Sequence, residues 1–122
     1  MDVAHLKKIA SESELNKKGR VIARIGEANV CVSRFSEHPK WEIHPKGEEV
    51  FVGIFGELNL VILHTAGPRT IILKSGDIAV IPKNTWHSPI PHGEVAVLNI
   101  GDYGGTLVSN SDDPRLLRME KS

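Results

Sequence analysis

The chain has 122 residues, of which 40% are hydrophobic and 25% charged, and its 15 basic and 15 acidic side chains cancel. This is the balance of an ordinary globular domain, and it offers no basic face for nucleic acid or for an anionic membrane. No apolar run reaches the roughly 18 residues of a spanning helix, and the opening segment MDVAHLKKIASESELNKKGR lacks the apolar core of a signal peptide. The single cysteine favours a reducing compartment, so we expect one cytoplasmic domain over residues 1–122.

The amino-terminal residues differ from the rest of the chain in composition and in the spacing of their apolar residues. Residues 1–18 are polar, with Val3, Leu6 and Ile9 at helical spacing, which predicts a short helix or an arm. From Gly19 onward, short runs rich in Val, Ile and Leu alternate with Gly, Pro, Asn and Asp. The predicted strands are Val21–Arg24, Asn29–Phe35, Trp41–His44, Glu49–Phe55, Leu58–His64, Arg69–Leu73, Asp77–Ile81, Trp86–Ile90 and Val95–Ile100.

This succession of short strands predicts an all-β fold, either a sandwich or a small antiparallel barrel. The stretches VFVGIF and VAVLNI are apolar on both faces, which indicates a closed double-layered barrel or a face covered by a partner subunit. Near the end, Asp113 and Pro114 are typical of a helix cap and a first helical position, so we expect a short closing helical turn.

Four polar side chains in two strand regions are candidates for chemistry. Glu42 and His44 are two residues apart, so they share one face of a strand. The HPKG segment is turn chemistry that folds Glu49 back towards His44, and His87 follows a Pro-Lys-Asn turn much later in the chain. If His87 faces the same interior, all four side chains converge.

A cation explains this set on electrostatic grounds. Two ionised carboxylates about 4 Å apart repel by about 4 kcal/mol at an effective dielectric constant of about 20. Either Glu42 or Glu49 keeps its proton, or a divalent cation lies between them. Two neutral imidazoles beside them favour a transition metal over calcium or magnesium. The alternative is a metal-free barrel mouth in which these groups form ordinary hydrogen bonds.

The first part of the set resembles the first sequence motif of the cupin superfamily. His44, four residues, Glu49, six residues and Gly56 match the second half of that motif. Glu42 stands where the motif has its first histidine, and Ser36 stands where it opens with glycine.

The second cupin motif is matched later in the chain. Gly76, five residues, Pro82 and then His87 fit it, with Asn84 in place of the middle glycine. Asparagine tolerates left-handed backbone in turns, so this exchange is mild. The final asparagine of the motif is replaced by Pro91. The resemblance covers about residues 30–100 and implies a double-stranded β-helix, the jelly-roll barrel of cupins.

The resemblance also implies a metal, since cupins commonly hold iron, manganese, nickel, zinc or copper. This chain looks like a variant with two histidines and two carboxylates, in which His44, Glu49, His87 and Glu42 are ligands. If Glu42 stands off, it is a catalytic base beside the metal. The other three then form a two-histidine-one-carboxylate set with open positions, as in non-haem iron oxygenases.

Two functional classes stay open at this stage. One is a metal-dependent enzyme of dioxygenase, isomerase or lyase type that acts on a small polar molecule. The other is a non-catalytic module that binds or senses a metal or a small ligand, or that holds no metal. We expect a homodimer, because the doubly apolar strands and the tryptophans Trp41 and Trp86 need cover. Cys31 is interpreted as a small core residue. His38 and His92 are assigned to the surface or to loops, with the pocket rim as an alternative for His92, and Tyr103 is a candidate to supply a pocket hydroxyl.

Overall fold

A computed structural model describes residues 3–12, 15, 19–38 and 40–115 of the chain. Within these ranges it contains one helix and ten strands. They are α1 (Leu6–Ala10), β1 (Arg20–Ile25), β2 (Ala28–Phe35), β3 (Trp41–Ile43), β4 (Glu49–Phe55), β5 (Glu57–His64), β6 (Gly67–Lys74), β7 (Ile78–Ile81), β8 (His87–Pro91), β9 (Val95–Gly101) and β10 (Leu107–Ser109).

The strands form two antiparallel sheets of five strands each. Sheet A has the order β1-β2-β9-β4-β7, and sheet B has the order β10-β3-β8-β5-β6. Apolar residues from both sheets make one core cluster: Phe35, Phe51, Leu58, Leu60, Ile62, Leu73, Ile81, Val95 and Val97. The expected all-β antiparallel barrel is confirmed, and all nine predicted strands are present with ends within two residues. Strand β10 was not predicted, and the single-domain interpretation stays a prediction.

Strands β4 and β9, which contain the stretches that are apolar on both faces, turn one face towards the core and the other towards the outside of sheet A. The register aligns Val80, Val50 and Ile100 across that face, and beside them it aligns Ile78, Val52 and Leu98. Helix α1 covers part of the face, where buried residues such as Ile9 and Ala10 pack in a cluster that includes Val32 and Leu98. Ile78 and Val80 on the edge strand β7 are left 68% and 57% exposed.

The tryptophans do not need a partner subunit to cover them. Trp41 and Trp86 are only 7% and 5% exposed, because they pack with Ile43 in a cluster of this chain's own side chains. The expectation that they require cover was therefore wrong. At the carboxyl end, Asp113 accepts a hydrogen bond from the backbone N–H of Arg115 at 3.0 Å, and Pro114 begins a helical turn as expected. The rest of that predicted turn lies outside the described residues.

Candidate metal site

The four side chains predicted from the sequence come together at one end of the barrel. Glu42 lies on β3 and His44 directly follows that strand, whereas Glu49 and His87 are the first residues of β4 and β8. The register pairs Glu42 with His87 across β3 and β8. The backbone N–H of Asn84 donates to the carbonyl of His44 at 2.9 Å, so the turn that precedes β8 is tied to the end of β3.

Glu49 is the centre of the group. Its Oε1 lies 3.1 Å from His44 Nε2 and 3.0 Å from His87 Nε2. All three side chains are buried, and His87 is completely inaccessible. Glu42, His44 and His87 also offer ligand atoms that lie within 4.8 Å of one another. Glu42 is half-buried, and its Oε1 lies 3.3 Å from Nε2 of His38.

The backbone fixes the tautomer of His87. Its Nδ1 lies 3.0 Å from the carbonyl oxygen of Thr85, which can only accept, so Nδ1 carries the hydrogen. In the neutral ring Nε2 therefore presents a lone pair. This buried Nε2 has no hydrogen-bond partner among the described residues although Glu49 Oε1 is 3.0 Å away. A lone pair that faces a carboxylate oxygen is repulsive unless a proton or a cation lies between them.

A short hydrogen-bond chain fixes His44 in the same way. The hydroxyl of Thr106 donates to the carbonyl of Tyr103 at 2.8 Å. Its oxygen is then the acceptor for His44 Nδ1, 2.7 Å away, so Nδ1 carries the hydrogen. In the neutral ring the Nε2 of His44 also presents a lone pair towards Glu49. Donation from Nδ1 to a fixed acceptor is the usual way in which a metal-binding imidazole is oriented.

The ionisation of the pair follows from burial and charge. Burial alone would raise the pKa of Glu49, but the hydrogen bond and the positive charge that His44 provides outweigh it and hold that pKa at about 2. Burial also disfavours the imidazolium form of His44, yet the hydrogen bond and charge of Glu49 raise the pKa of His44 above its usual 6.5. The metal-free pair is therefore a carboxylate and an imidazolium that share the proton a metal would displace.

The residues fit a divalent transition metal. Neighbouring ligand atoms on an octahedral ion with bonds of about 2.1 Å are about 3 Å apart. The separations of Glu49 Oε1 from the two Nε2 atoms, 3.1 and 3.0 Å, have this length. Two imidazole nitrogens and a carboxylate oxygen are a donor set typical of iron, zinc, nickel or copper.

A cavity of about 340 Å³ opens onto this group. It is lined by Glu42, His44 and Glu49 together with Val21, Asn29, Cys31, Ser33, Phe35, His38, Phe51, Asn99, Tyr103 and Thr106.

Several expectations are corrected by the lining of the cavity. Cys31 is half-buried on the cavity wall, so its interpretation as a core residue was wrong. Burial and the charge of Glu49 raise the pKa of its thiol, which keeps it protonated. Tyr103 lines the cavity as one alternative expected, whereas His92 is exposed and does not line it. His38 was assigned to the surface, but it lines the cavity beside Glu42, and no spacing in the sequence indicates this contact.

Comparison of sequences gives one distant relative. No protein-family profile matches the chain. The uncharacterized protein YdbB of Bacillus subtilis (strain 168) is 29% identical over 79 residues, which are 65% of this chain and 67% of that protein. The similarity is to a protein without an assigned activity, so it provides no reaction.

Comparison of structures defines the fold. A cupin-2 domain protein from Shewanella frigidimarina is 24% identical with a TM-score of 0.70, over 81% of this chain and 93% of that chain. A double-stranded β-helix protein from Klebsiella pneumoniae is 15% identical with a TM-score of 0.69, over 91% and 99% of the two chains. The fold is therefore a double-stranded β-helix, the architecture of small cupins.

An enzyme whose crystal structure holds a metal ion also has this architecture. Hydroquinone 1,2-dioxygenase PnpCD, solved with Cd²⁺ and 4-hydroxybenzonitrile, is 15% identical with a TM-score of 0.62, over 80% of this chain and 70% of that chain. At this identity the likeness concerns the fold alone. Among the described residues, no helix has the length and apolar character needed to cross a membrane.

Proposed function

We propose that the chain is a metal-dependent cupin enzyme, in which His44, Glu49 and His87 bind a divalent transition metal and a small polar molecule reacts in the adjoining cavity. The observation that carries this proposal is the convergence on one buried carboxylate oxygen of two Nε2 atoms, each on a ring whose Nδ1 lies against a hydrogen-bond acceptor. Three ligands on one side leave coordination positions free for a substrate and for dioxygen, which favours chemistry of the oxygenase type.

The protein residues have separate parts in this proposal. A bound metal would supply Lewis acidity and, for a redox-active ion such as iron, electron transfer. Glu49 contributes negative charge, and the backbone carbonyl of Thr85 holds His87 in the ligating tautomer. Glu42 is the fourth candidate ligand, but its contact with His38 and its half-buried position favour a role as the base that accepts a proton from the substrate. Two carboxylates of different burial are suited to such different roles.

The second candidate is a module that binds a metal or a small ligand without turnover. The closeness of Glu42 to both histidine ligand atoms, within 4.8 Å, favours it, because a fourth protein ligand would close one of the positions that a reaction needs. Binding of catechol to the metal-loaded protein would separate a site with a free coordination position from one in which protein ligands fill every position.

The test is metal binding by untagged protein. Dialysis against iron, manganese, nickel, copper or zinc, followed by metal analysis, is expected to give one ion per chain. Linkage predicts about 2.7 kcal/mol of added stability at a hundredfold excess over the dissociation constant. His87→Ala is expected to abolish binding, whereas His92→Ala, an exposed histidine away from the cavity, is the matched control. Absence of both the ion and the stabilisation in wild-type protein would refute the proposal.

We also propose that the protein is a cytoplasmic homodimer. The support for a dimer is the apolar outer face of sheet A, on which Ile78 and Val80 are exposed and continue the aligned rows that include Val50 and Val52. A contiguous apolar patch on a sheet is typical of a subunit interface. The support for the compartment is the single, unpaired Cys31.

A further inference from the structure

Tyr103 is the only tyrosine of the chain, and its side chain lines the cavity at the candidate site. The ring lies edge-on against His44, with 5.0 Å between ring centroids. A β-carbon at Gly101 would come within 3.1 Å of the tyrosine ring, so the ring is packed directly on the backbone there. Its hydroxyl oxygen is buried and has no hydrogen-bond partner among the described residues. A buried hydroxyl without an acceptor is destabilising, so its retention needs an explanation.

The hydroxyl belongs to the site and acts as a donor. A phenol has an ordinary pKa of about 10, so Tyr103 has a hydrogen to donate at neutral pH. Its oxygen is buried and has no hydrogen-bond partner of good geometry among the described residues, although Glu49 lines the same cavity. The donor is therefore available to an oxygen atom that enters the cavity beside Glu49 and His44.

The other lining residues limit the charge and size of what enters. Neither lysine nor arginine occurs among the residues that line the cavity in the described part of the chain. A ligand with two or more negative charges would therefore meet Glu42 and Glu49 without a lysine or arginine to offset its charge. The volume of about 340 Å³ is at the small end for ligand pockets and suits a molecule of about one ring. Phe35, Phe51 and Val21 provide apolar wall, and Asn29 and Asn99 provide amide groups.

We propose that the cavity binds a compact hydroxylated ring compound that carries at most one negative charge. The Tyr103 hydroxyl donates a hydrogen bond to the hydroxyl oxygen of this compound that lies at the metal. The inference rests on the proposed metal site. It makes Tyr103 a residue that selects the substrate, because an acceptor oxygen on the ligand provides the hydrogen bond that the buried hydroxyl otherwise lacks.

The experiment uses cobalt(II) as metal and catechol as ligand, with Tyr103→Phe as the variant. Phenylalanine keeps the ring that packs on Gly101 and His44 and removes only the hydroxyl. Cobalt(II) affinity, followed by visible absorption, is expected to be the same in both proteins. Catechol affinity for the cobalt-loaded protein is expected to fall about tenfold in the variant, which is the loss of one hydrogen bond to a partly charged oxygen.

A second ligand tests the charge limit. The compound 4,5-dihydroxybenzene-1,3-disulfonate has the same chelating diol as catechol and two additional negative charges. We expect it to bind at least about tenfold more weakly than catechol, since its two sulfonates would meet Glu42 and Glu49 where no lysine or arginine lines the cavity. Equal or tighter binding would overturn the substrate class.

The outcomes separate this inference from the proposed function. Unchanged catechol affinity in Tyr103→Phe overturns the inference and leaves the metal site standing. A weaker cobalt(II) affinity in the variant also overturns it, because Tyr103 would then position Glu49 and not the substrate. If wild-type protein binds no cobalt(II), the proposed function fails, and the inference fails with it. Equal thermal unfolding midpoints of the two proteins would exclude misfolding as the cause of any loss.

Discussion

The backbone N–H of Asn84 donates to the backbone carbonyl of His44 at 2.9 Å. This bond joins the loop after β3 to the turn before β8, so it sets the distance between the two histidines of the site. Asn84 has φ 56°, and it is the one non-glycine residue with positive φ in the described part of the chain. The left-handed turn at Asn84 is therefore what directs its N–H at His44 and leads the chain into His87.

The first prediction concerns this turn. Asn84→Gly is expected to preserve stability and metal affinity, because glycine adopts positive φ without strain. Asn84→Val is expected to lower the free energy of unfolding by about 1–2 kcal/mol, since a β-branched residue is strained there. Urea unfolding of both variants measures the difference. Lys83→Val, at the exposed neighbouring position, is the control, and an Asn84→Val protein as stable as wild type would contradict the argument.

Part of the site could be predicted because its information is local in sequence. The spacing of His44, Glu49 and Gly56 describes one strand, a turn and the next strand, and alternation along a strand tells which side chains share a face. The interpretation of Cys31 as a core residue likewise placed its side chain inside the barrel. It could not tell that this end of the barrel is a cavity and not core, because that depends on what the opposite sheet places there.

The residues that orient the ligands could not be predicted for the same reason. Thr106 accepts a hydrogen bond from His44, which lies 62 positions earlier in the sequence. Thr106 directly precedes β10, a three-residue strand that is too short to show an alternating apolar pattern. His38, in the segment before β3, contacts Glu42 at the wall of the cavity. Each contact exists only in the folded barrel, and a single threonine or histidine in a loop does not indicate it in the sequence.

The second prediction tests the hydrogen-bond chain behind His44. Thr106→Val keeps the shape of the side chain and removes the oxygen that accepts from His44 Nδ1. The ring can then place its hydrogen on Nε2, which blocks metal binding, so we expect metal affinity to fall about 10- to 100-fold. Calorimetric titration with zinc measures it. Thr70→Val, at an exposed position on β6, is the control, and equal affinities of the two variants would refute the role of the chain.

The third prediction separates the two roles of Glu42. Glu42→Gln keeps the size of the side chain and removes its charge and its basicity. If Glu42 is a base beside the metal, as proposed, zinc affinity is expected to stay within about threefold of wild type. Glu48→Gln, at the exposed position beside Glu49, serves as the control for loss of one negative charge. A loss of zinc affinity as large as that of His87→Ala would instead make Glu42 a ligand.

The fourth prediction concerns the outer face of sheet A. A double variant, Ile78→Glu with Val80→Glu, is expected to give monomers at micromolar concentration, because it places two charges in the proposed interface. Ile72→Glu is the matched control, since Ile72 is 57% exposed but lies on sheet B. Light scattering measures the mass of each protein. A monomeric wild-type protein, or a dimer that survives the double substitution, would exclude this interface.

The fifth prediction is that a rise in pH from about 5.5 to about 8 has opposite effects on two quantities. It lowers the stability that the His44–Glu49 pair gives the metal-free protein, and it raises the affinity for zinc. Without metal, the raised pKa of His44 contributes stability that is present below pH 6.5 and is lost as the pH rises through the folded value. The lowered pKa of Glu49 contributes stability that is present above 4.5 and is lost as the pH falls towards about 2. The contribution of this pair to the metal-free protein is therefore largest between those two ordinary values.

Metal binding needs the proton that stabilises the metal-free pair to leave. Zinc affinity is expected to rise with pH until His44 is fully neutral, and the increase in unfolding temperature on adding zinc is expected to be larger at about pH 8 than at about pH 5.5. Thermal unfolding with and without zinc at both pH values measures this. The Thr106→Val protein serves as a second arm, because its pH dependence changes only if His44 is the titrating ligand. A zinc effect that is the same at both pH values would mean that the ion binds elsewhere on the chain.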